Sequence, residues 1–374
     1  MTNVHLVTGA TGFVGGALVL ELLARTDSQV ACLVREDPAS SPHERLETSL
    51  THAARIYGRA DLEHEIKSRC KAVPGDIVAP LCGAAAMRLA KGAKIWHCAA
   101  SLKFREEQES EIFTHNVEGT RNILKLARHL KSSGLNYIST AYVAGPRTGV
   151  VREELPAPDL AAHNSYERSK IHAEIVLSQF TAVHTRILRP SIVIGHSRTH
   201  AATRFTGLYG FIDDLRRLKT RFLRRSRGLS LLNSSIRILG QPGTPLNLIP
   251  VDAVAADAVR VGLSNSPARI FHLTNSEQPE AACVAAIVME ELGLPPARFV
   301  ESIGNFTVID QAVGRALLFY GSYLKSPKIF DRTNTDACGG NSRWPLDEGT
   351  IRSYVRWFLE TGVPAQKPPL RAAV

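Results

Sequence analysis

One tyrosine and one lysine of this chain stand four residues apart, in the stretch "SYERSK" (165–170). On a helix, Tyr166 and Lys170 would lie on the same face. An ammonium group there can stabilise the ionised form of a phenol, and such a phenol can give a proton to a reacting oxygen. The alternative is structural, with the tyrosine packed inward and the lysine in solvent. Because this spacing is common by chance, the choice depends on whether the chain also binds a cofactor.

A glycine-rich stretch near the start of the chain, "TGATGFVGG", is typical of a dinucleotide site. It follows an apolar run and precedes an amphipathic segment, and Gly9, Gly12 and Gly15 are spaced G-x-x-G-x-x-G. Glycine permits the sharp turn, the close approach of a pyrophosphate to the helix N-terminus and the tight packing of helix on strand. A turn without a ligand is the alternative. The residues expected to contact the dinucleotide here are Thr8, Gly9, Thr11, Gly12, Phe13, Val14 and Gly15.

Three later segments carry residues that suit other parts of a dinucleotide. Arg35 comes before Glu36 after the second apolar run, and arginine suits a 2′-phosphate whereas a carboxylate suits a free ribose hydroxyl. The order favours NADP, with a solvated surface arginine as the alternative. Asp76, beside Ile77, is placed to hydrogen-bond the adenine amine. The small residues of "CAAS" leave room for the nicotinamide ribose, and they are Ala99, Ala100 and Ser101.

The elements that would position these residues alternate between short apolar runs and helical segments, which predicts βαβ units on a parallel sheet. We predict a Rossmann-type, doubly wound α/β fold with a smaller, mostly helical substrate-binding subdomain. The NADP-binding domain is predicted at 1–195, with 246–275 returning to it, and the subdomain at 196–245 and 276–374. The predicted strands are 4–7, 29–34, 70–73, 94–98, 135–139, 185–189 and 269–274.

Composition narrows the class of protein. The 374 residues are 44% hydrophobic and 21% charged, which is ordinary for a globular chain. The six cysteines are scattered without metal-ligand spacing, so we expect reduced thiols, no metal and a cytoplasmic location. No uninterrupted apolar run is long enough to cross a membrane, and no secretory leader is visible.

With the glycine loop, Asp76, "NVEGT", "ISTAYV" and "YERSK" in this order, the chain resembles the extended short-chain dehydrogenase/reductase superfamily over about residues 4 to 275. The resemblance implies that Tyr166 is the proton donor, that Lys170 is its partner and can hold the nicotinamide ribose, and that Thr140 polarises the substrate oxygen. The charge of Lys170, together with the positive nicotinamide ring of the oxidised cofactor, is expected to lower the pKa of Tyr166. Ser139 is the neighbour that could be mistaken for Thr140.

The same resemblance implies two further cofactor contacts. Pro190 and Val193 of "RPSIVIG" would fix the carboxamide of the cofactor. Asn116, read as opening the "NVEGT" helix, would support a water relay to Lys170, with helix capping as an equal alternative.

Other segments are similar to one branch of that superfamily, the fatty acyl-CoA reductases and the thioester reductase domains of carboxylic acid reductases and peptide synthetases. They are "IWHCAASLKF", "STAYVAG", "RPSIVIG", "LNLIPVDAVAADAV" and, most loosely, "YGSYLKSPKIFDRTN". Relatives of this kind use NADPH to reduce an acyl thioester to an aldehyde and sometimes on to the alcohol. No adenylation or carrier domain precedes the reductase in this chain, so an enzyme acting in trans is expected.

Positive charge is concentrated in one segment. The chain carries a formal charge of +10, and residues 204–227 contain eight Lys/Arg against Asp213 and Asp214, which is 8 − 2 = +6. Phe211, Leu215, Leu218 and Phe222 recur there at helical spacing. The basic surface suits an acidic carrier protein or the phosphates of coenzyme A. The alternative is a solvated helix whose apolar stripe packs on the core. Peripheral membrane contact stays open, and nucleic acid is not expected.

Three functions therefore remain to be compared. The first is an NADPH-dependent reductase of acyl thioesters. The second is a related reductase or dehydrogenase of a free aldehyde, ketone or alcohol, which would use the same Thr140, Tyr166 and Lys170. The third is a non-catalytic NADP sensor, and the presence of the tyrosine and lysine counts against it.

Overall fold

A computed structural model describes residues 4–224, 236–302, 304, 306–316, 321 and 323–361, without the side chains of 84, 222, 224, 315 and 316. Its centre is a sheet of seven parallel strands in the order β3-β2-β1-β4-β5-β7-β11. The chain moves outward from β1 in one direction and then in the other, which is the doubly wound arrangement. The predicted fold class is confirmed.

The strands are β1 Val4–Thr8, β2 Gln29–Val34, β3 Cys70–Pro74, β4 Lys94–His97, β5 Leu135–Ile138, β6 Gly149–Val151, β7 Thr185–Pro190, β8 Ile192–Ile194, β9 Ile236–Leu239, β10 Leu248–Pro250, β11 Ile270–Leu273, β12 Ala297–Val300 and β13 Lys328–Phe330. The helices are α1 Phe13–Arg25, α2 Pro42–Ile56, α3 Glu63–Arg69, α4 Ala84–Met87, α5 Glu109–Phe113, α6 Gly119–His129, α7 Ser165–Ser178, α8 Leu208–Arg224, α9 Val251–Leu263, α10 Ala281–Glu291, α11 Val308–Ala316, α12 Thr333–Asp336 and α13 Glu348–Glu360.

All seven strands predicted from apolar runs take part in the sheet. Both faces of a parallel sheet are covered by helices, so its strands are nearly continuous runs of buried residues. In β5 and β7 every residue is buried. The carboxyl ends of the strands meet at one edge, and the loops that leave this edge carry the residues predicted to bind a cofactor.

A second hydrophobic core lies outside the sheet. It is built from α8, β9, α10 and α13, with Tyr209, Val288 and Phe358 at its centre. Three two-stranded parallel pairs accompany it, β8 with β10, β9 with β12 and β6 with β13. The last pair ties the C-terminal part of the chain to the segment that follows β5. The predicted domain division stays a prediction.

Among the residues that the structure describes, no helix combines the length and the apolar composition that crossing a membrane requires.

Candidate active site

One cavity of about 850 Å³ runs along the carboxyl edge of the sheet and continues into the second core. A volume of this size is ordinary for a ligand site. The cavity brings together every site residue predicted from the sequence except Asn116. These are Thr8, Gly9, Thr11, Gly12, Phe13, Val14, Gly15, Arg35, Asp76, Ile77, Ala99, Ala100, Ser101, Thr140, Tyr166, Lys170, Pro190 and Val193.

The glycine loop joins β1 to α1 and is pressed against the loop that follows β4. Gly9 has φ +73°, a left-handed conformation, and a Cβ on it would lie 2.8 Å from the backbone nitrogen of Ala99. A Cβ on Gly15 would meet the backbone oxygen of Gly9. The Thr8 hydroxyl lies 2.8 Å from His97 Nδ1 and accepts a bond from Ala99 N at 3.1 Å, so it holds these two loops together.

Two arginines that line the cavity lie near the end of β2. Arg35 is exposed, and its backbone oxygen accepts a hydrogen bond from Arg45 Nη1 at 2.6 Å. Arg45, on α2, also lies 4.0 Å from a carboxylate oxygen of Asp37. Both arginines line the cavity together with Asp76, whose Oδ1 accepts a bond from Val78 N at 3.1 Å. Arg35 could be predicted from the sequence but Arg45 could not, because helix α2 carries no motif that singles it out.

Two neighbouring hydroxyls follow β5, and they have different partners. Ser139 Oγ donates to Glu174 Oε1 at 2.5 Å, inside the protein. Thr140 Oγ1 caps a short 3₁₀ helix (Ala141–Ala144) by accepting a bond from Tyr142 N at 3.2 Å. Both residues line the cavity, but the Ser139 hydroxyl is engaged with a buried carboxylate, whereas the Thr140 hydroxyl accepts a backbone amide and keeps its proton available to a ligand.

Lys170 is buried and is held by groups of β5. Its Nζ donates to the Ile138 backbone oxygen at 2.8 Å and to Tyr137 Oη at 3.1 Å, and it lies 4.5 Å from the centre of the Tyr137 ring. Burial lowers the pKa of Lys170 to about 8, and the nearby Glu174 carboxylate opposes that shift. The role of Tyr137 could not be predicted from the sequence, because it depends on the lysine that packs against this residue.

Tyr166 is half-buried, and Lys170 Nζ lies 6.0 Å from the centre of its ring. Burial, and then the negative charge of Glu167, raise the pKa of the Tyr166 phenol above its usual value. The expectation that Lys170 and the oxidised nicotinamide ring together lower this pKa stays a prediction. A raised pKa keeps the phenol protonated at neutral pH, which is the form that a proton donor needs.

A buried ion pair fixes helix α7 to the sheet. Arg189 of β7 contacts both carboxylate oxygens of Glu174, at 3.0 and 2.6 Å, and the two side chains are 2% and 0% exposed. Arg189 also reaches the Glu154 backbone oxygen at 2.9 Å and His272 Nε2 at 3.3 Å. Glu174 follows Lys170 by four residues on α7, so the ion pair with Arg189 holds the helix one turn away from the lysine.

The structure corrects the expectation for Asn116. The helical run begins at Glu109 rather than at Asn116, and residues Thr114–Glu118 form a π-turn inside it. Asn116 is not a cap. Its Oδ1 accepts a bond from Ser101 N at 2.7 Å, and its Nδ2 donates to Ser169 Oγ at 2.9 Å and to the Ser101 backbone oxygen at 3.1 Å. The wider turn directs the amide toward these tertiary partners, a common use of π-turns at functional sites. The water relay to Lys170 stays a prediction.

Helix α8 uses its apolar stripe for packing. Phe211, Leu215 and Leu218 are buried in the second core, so the packing alternative is confirmed for them, while the side chain of Phe222 lies outside the described residues. Arg225 and Arg227 lie outside them as well.

Several basic side chains of this segment have partners within the chain. Arg216 and Arg217 both bind Asp213, at 2.7 and 2.6 Å. Lys219 Nζ donates to the Leu292 backbone oxygen. Arg204 lies at the glycine loop, with Nη2 3.5 Å from the Thr11 backbone oxygen, a position that the sequence analysis did not assign.

Residues 7–258 match the model of the family described as "Male sterility protein". The chain belongs to that family. The match confirms the extended short-chain dehydrogenase/reductase superfamily predicted from the sequence motifs, and it supports the predicted NAD(P)-dependent oxidoreductase.

Among curated proteins, an isonitrile lipopeptide synthase of Streptomyces coeruleorubidus is 33% identical over 46% of this chain. Fatty acyl-CoA reductase 1 of Mus musculus is 26% identical over 67% of it. The chain spans only 12% of the synthase and 52% of the reductase. Among solved structures, the terminal R domain from the myxalamid PKS-NRPS biosynthetic pathway has a TM-score of 0.73 and 26% identity. That match covers 96% of this chain and 91% of the domain.

Proposed function

We propose that this chain reduces an acyl thioester to an aldehyde with NADPH, the acyl group being carried on coenzyme A or on a carrier protein. One observation carries the proposal. A single cavity joins a dinucleotide cradle, the Thr140, Tyr166 and Lys170 side chains, and a chamber lined by apolar residues of the second core. The likeness to fatty acyl-CoA reductase and to the terminal R domain supports the same reaction.

The residues of the cradle fit a dinucleotide. A Cβ at Gly9 or Gly15 would collide with neighbouring backbone, so the loop lies close to α1 and leaves the start of that helix open to a phosphate. Arg35 and Arg45 line the cavity near the end of β2, where a 2′-phosphate would lie, and this favours NADPH over NADH. When bound, the nicotinamide supplies the hydride that reduces the substrate carbonyl.

The side chains of this protein would hold the thioester and manage its proton. Thr140 Oγ1 and the Tyr166 phenol would both donate to the carbonyl oxygen, stabilising the negative charge that develops there. Tyr166 would then transfer its proton to that oxygen. Lys170, held by Ile138 and Tyr137, would keep a positive charge beside the phenol as it ionises. Collapse of the resulting hemithioacetal would release the thiol and leave the aldehyde.

The same side chains could reduce the aldehyde again to an alcohol, since Thr140 and Tyr166 would hold an aldehyde oxygen in the same way. Product analysis therefore belongs in the first experiment. For the carrier, the likeness to a terminal R domain favours a carrier protein, and the positive charge of residues 204–224 suits either an acidic protein or coenzyme A. The cytoplasmic location expected from the scattered thiols stays a prediction.

The test is a screen of acyl-CoA and acyl-carrier thioesters with NADPH and, in parallel, NADH. Loss of the reduced cofactor, free thiol and the aldehyde or alcohol formed are all measured. We expect thiol release in step with oxidation of NADPH.

Three other outcomes would contradict the proposal in distinguishable ways. Oxidation with free aldehydes or ketones but with no thioester would favour a reductase of free carbonyl compounds. Binding of NADPH without turnover of any carbonyl compound would favour a cofactor sensor. Faster turnover with NADH would overturn the role given to the two arginines.

A further inference from the structure

Two consecutive residues near the C-terminus belong to two different hydrophobic clusters. Tyr323 packs with Tyr142, Val151 and Phe330, the cluster that directly follows Thr140. Leu324 belongs to the second core, and its backbone oxygen accepts bonds from Gln241 N at 3.0 Å and Thr244 Oγ1 at 3.1 Å. Both residues line the cavity. The segment therefore stands where the catalytic side of the cavity meets its apolar chamber.

The ring of Tyr323 is fixed from two sides. Its hydroxyl donates to Glu167 Oε1 at 2.9 Å, and Glu167 is the residue after Tyr166 on α7. Its ring makes an edge contact with the ring of Tyr142, with centres 4.5 Å apart, and Tyr142 is two residues after Thr140. Tyr323 is thus attached to the residue after Tyr166 and to the second residue after Thr140, the two proposed hydroxyl donors.

The groups that hold the Tyr323 hydroxyl are buried. Glu167 is fully buried, and its other oxygen accepts a bond from His163 N at 3.0 Å. Lys328, 3% exposed, provides a positive charge near the same carboxylate and donates to the Ser326 backbone oxygen. Pairing of β13 with β6 anchors this segment to the part of the chain that follows β5. A buried hydrogen bond to a carboxyl group resists displacement by a ligand better than a surface contact does, because breaking it leaves a buried polar group without a partner.

The chamber beyond Tyr323 has a uniform lining. Among the described residues, those contributed by α8, β9, the start of β10, α10 and β12 are apolar or glycine, and they include Phe211, Ile238, Leu248, Val284 and Phe299. Burying a charged or strongly polar group against such a lining is unfavourable. The chamber therefore suits a hydrocarbon acyl chain better than a charged peptidyl group.

We propose that Tyr323, held by Glu167, is the specificity-determining wall that sets how a hydrocarbon acyl chain passes from the apolar chamber to Thr140 and Tyr166. The proposal rests on the proposed function. Because Tyr323 is attached beside both hydroxyl donors, its ring lies next to the first carbons of the acyl group. It therefore restricts branching at the carbon beside the thioester carbonyl, whereas the chamber restricts polarity further along the chain.

The experiment compares octanoyl-CoA with 2-methyloctanoyl-CoA in steady-state reduction by the wild type and three variants. If the wild type prefers a carrier protein, the same acyl groups are presented on it. Tyr323→Ala removes the wall, and Tyr323→Phe keeps the ring but removes the hydrogen bond to Glu167. Tyr354→Phe is the matched control, because Tyr354 is also buried, donates to the His196 backbone oxygen at 3.4 Å and does not line the cavity. NADPH affinity is measured for each variant by fluorescence titration.

Tyr323→Ala should raise the ratio of kcat/KM for the branched over the straight ester by roughly tenfold, the discrimination expected from about one methyl group in a pocket. Tyr323→Phe should raise KM several-fold on both esters with little change in kcat, since a loosened wall weakens binding. Tyr354→Phe should leave the ratio and KM unchanged, and NADPH affinity should be unaltered throughout. A loss of stability alone would lower turnover of both esters equally, so the ratio separates the two explanations.

The inference is overturned if the wild type reduces octanoyl thioester but Tyr323→Ala leaves the ratio within about twofold, or if Tyr354→Phe shifts it equally. If the wild type releases thiol from no thioester, the proposed function itself fails and the inference falls with it.

Discussion

Replacing Ser139 and Thr140 one at a time should show which of these adjacent hydroxyls acts on the substrate. Ser139→Ala removes a buried hydrogen bond to a carboxylate, and Glu174 keeps both of its bonds to Arg189. Losing such a bond costs about 1–3 kcal/mol, and because Arg189 remains we expect about 1.5 kcal/mol. Thr140→Val removes the hydroxyl that accepts the Tyr142 amide, which costs about 1 kcal/mol as for other helix caps.

These two losses of stability are nearly equal. For a chain of 374 residues, the entropy of unfolding is about 0.8 kcal/mol per kelvin, so either variant should melt about 1–2 °C below the wild type. Their activities should differ greatly. Thr140→Val removes a donor to the developing oxyanion, which lowers kcat by about 100- to 1000-fold. Ser139→Ala should keep kcat within about threefold of the wild type, because the alanine leaves Thr140 and Tyr166 in place.

The assay is steady-state thioester reduction with NADPH, together with calorimetric melting of the same samples. Thr140→Ser is the matched control. It keeps a hydroxyl that can donate to the substrate and accept the Tyr142 amide, so its kcat should be close to that of the wild type. The reasoning is refuted if Ser139→Ala loses activity as severely as Thr140→Val, or if Thr140→Val remains fully active. Equal melting temperatures with unequal activities cannot be explained by unfolding.

Three shorter predictions follow from the same site. Tyr166→Phe should leave NADPH affinity nearly unchanged while lowering kcat by orders of magnitude, because the ring stays and only the proton donor is lost; full activity would discredit the assigned acid. Since burial lowers the pKa of Lys170 to about 8, its positive charge is present below that pH and lost above it, so kcat/KM should fall as pH rises through about 8. A decline only near the ordinary lysine value of about 10.4 would contradict this. Arg35→Ala and Arg45→Ala should each raise KM for NADPH about tenfold or more and leave KM for NADH unchanged. Equal effects on both cofactors would show that the two arginines do not bind the 2′-phosphate.

The strands and the cofactor loops could be predicted from the sequence because both depend on local patterns. A buried parallel strand is a short apolar run, and the loop after it lies at the carboxyl edge whatever the rest of the chain does. For that reason Gly9, Arg35 and Asp76 could be placed in one cavity without knowing the helices between them.

The parts that could not be predicted depend on partners far apart along the chain. Tyr323 and Glu167 are separated by 156 residues. Each stands in a segment that carries the resemblance, "YGSYLKSPKIFDRTN" and "YERSK", but neither segment indicates that the two residues are partners. Asn116 shows the opposite error, because the local capping preference of asparagine predicts the wrong helix start. Asparagine is a good helix cap, so "NVEGT" favours a helix start at Asn116, but the Asn116 amide forms tertiary bonds to Ser101 and Ser169 instead.

Helix α7 explains how a tyrosine and a lysine one turn apart can work as a pair. Glu174 ties the helix to the sheet through Arg189, and Glu167 ties it to the C-terminal segment through Tyr323. Lys170 lies between these two attachments, and Tyr166 directly precedes the first of them on the same helix. A helix attached at these two points cannot rotate or slide without breaking the buried ion pair of Glu174 with Arg189, whose loss costs about 3–5 kcal/mol, or the buried hydrogen bond of Glu167 with Tyr323. The spacing of the pair is set by the helix, and the two glutamates fix how that helix lies against the sheet and the C-terminal segment.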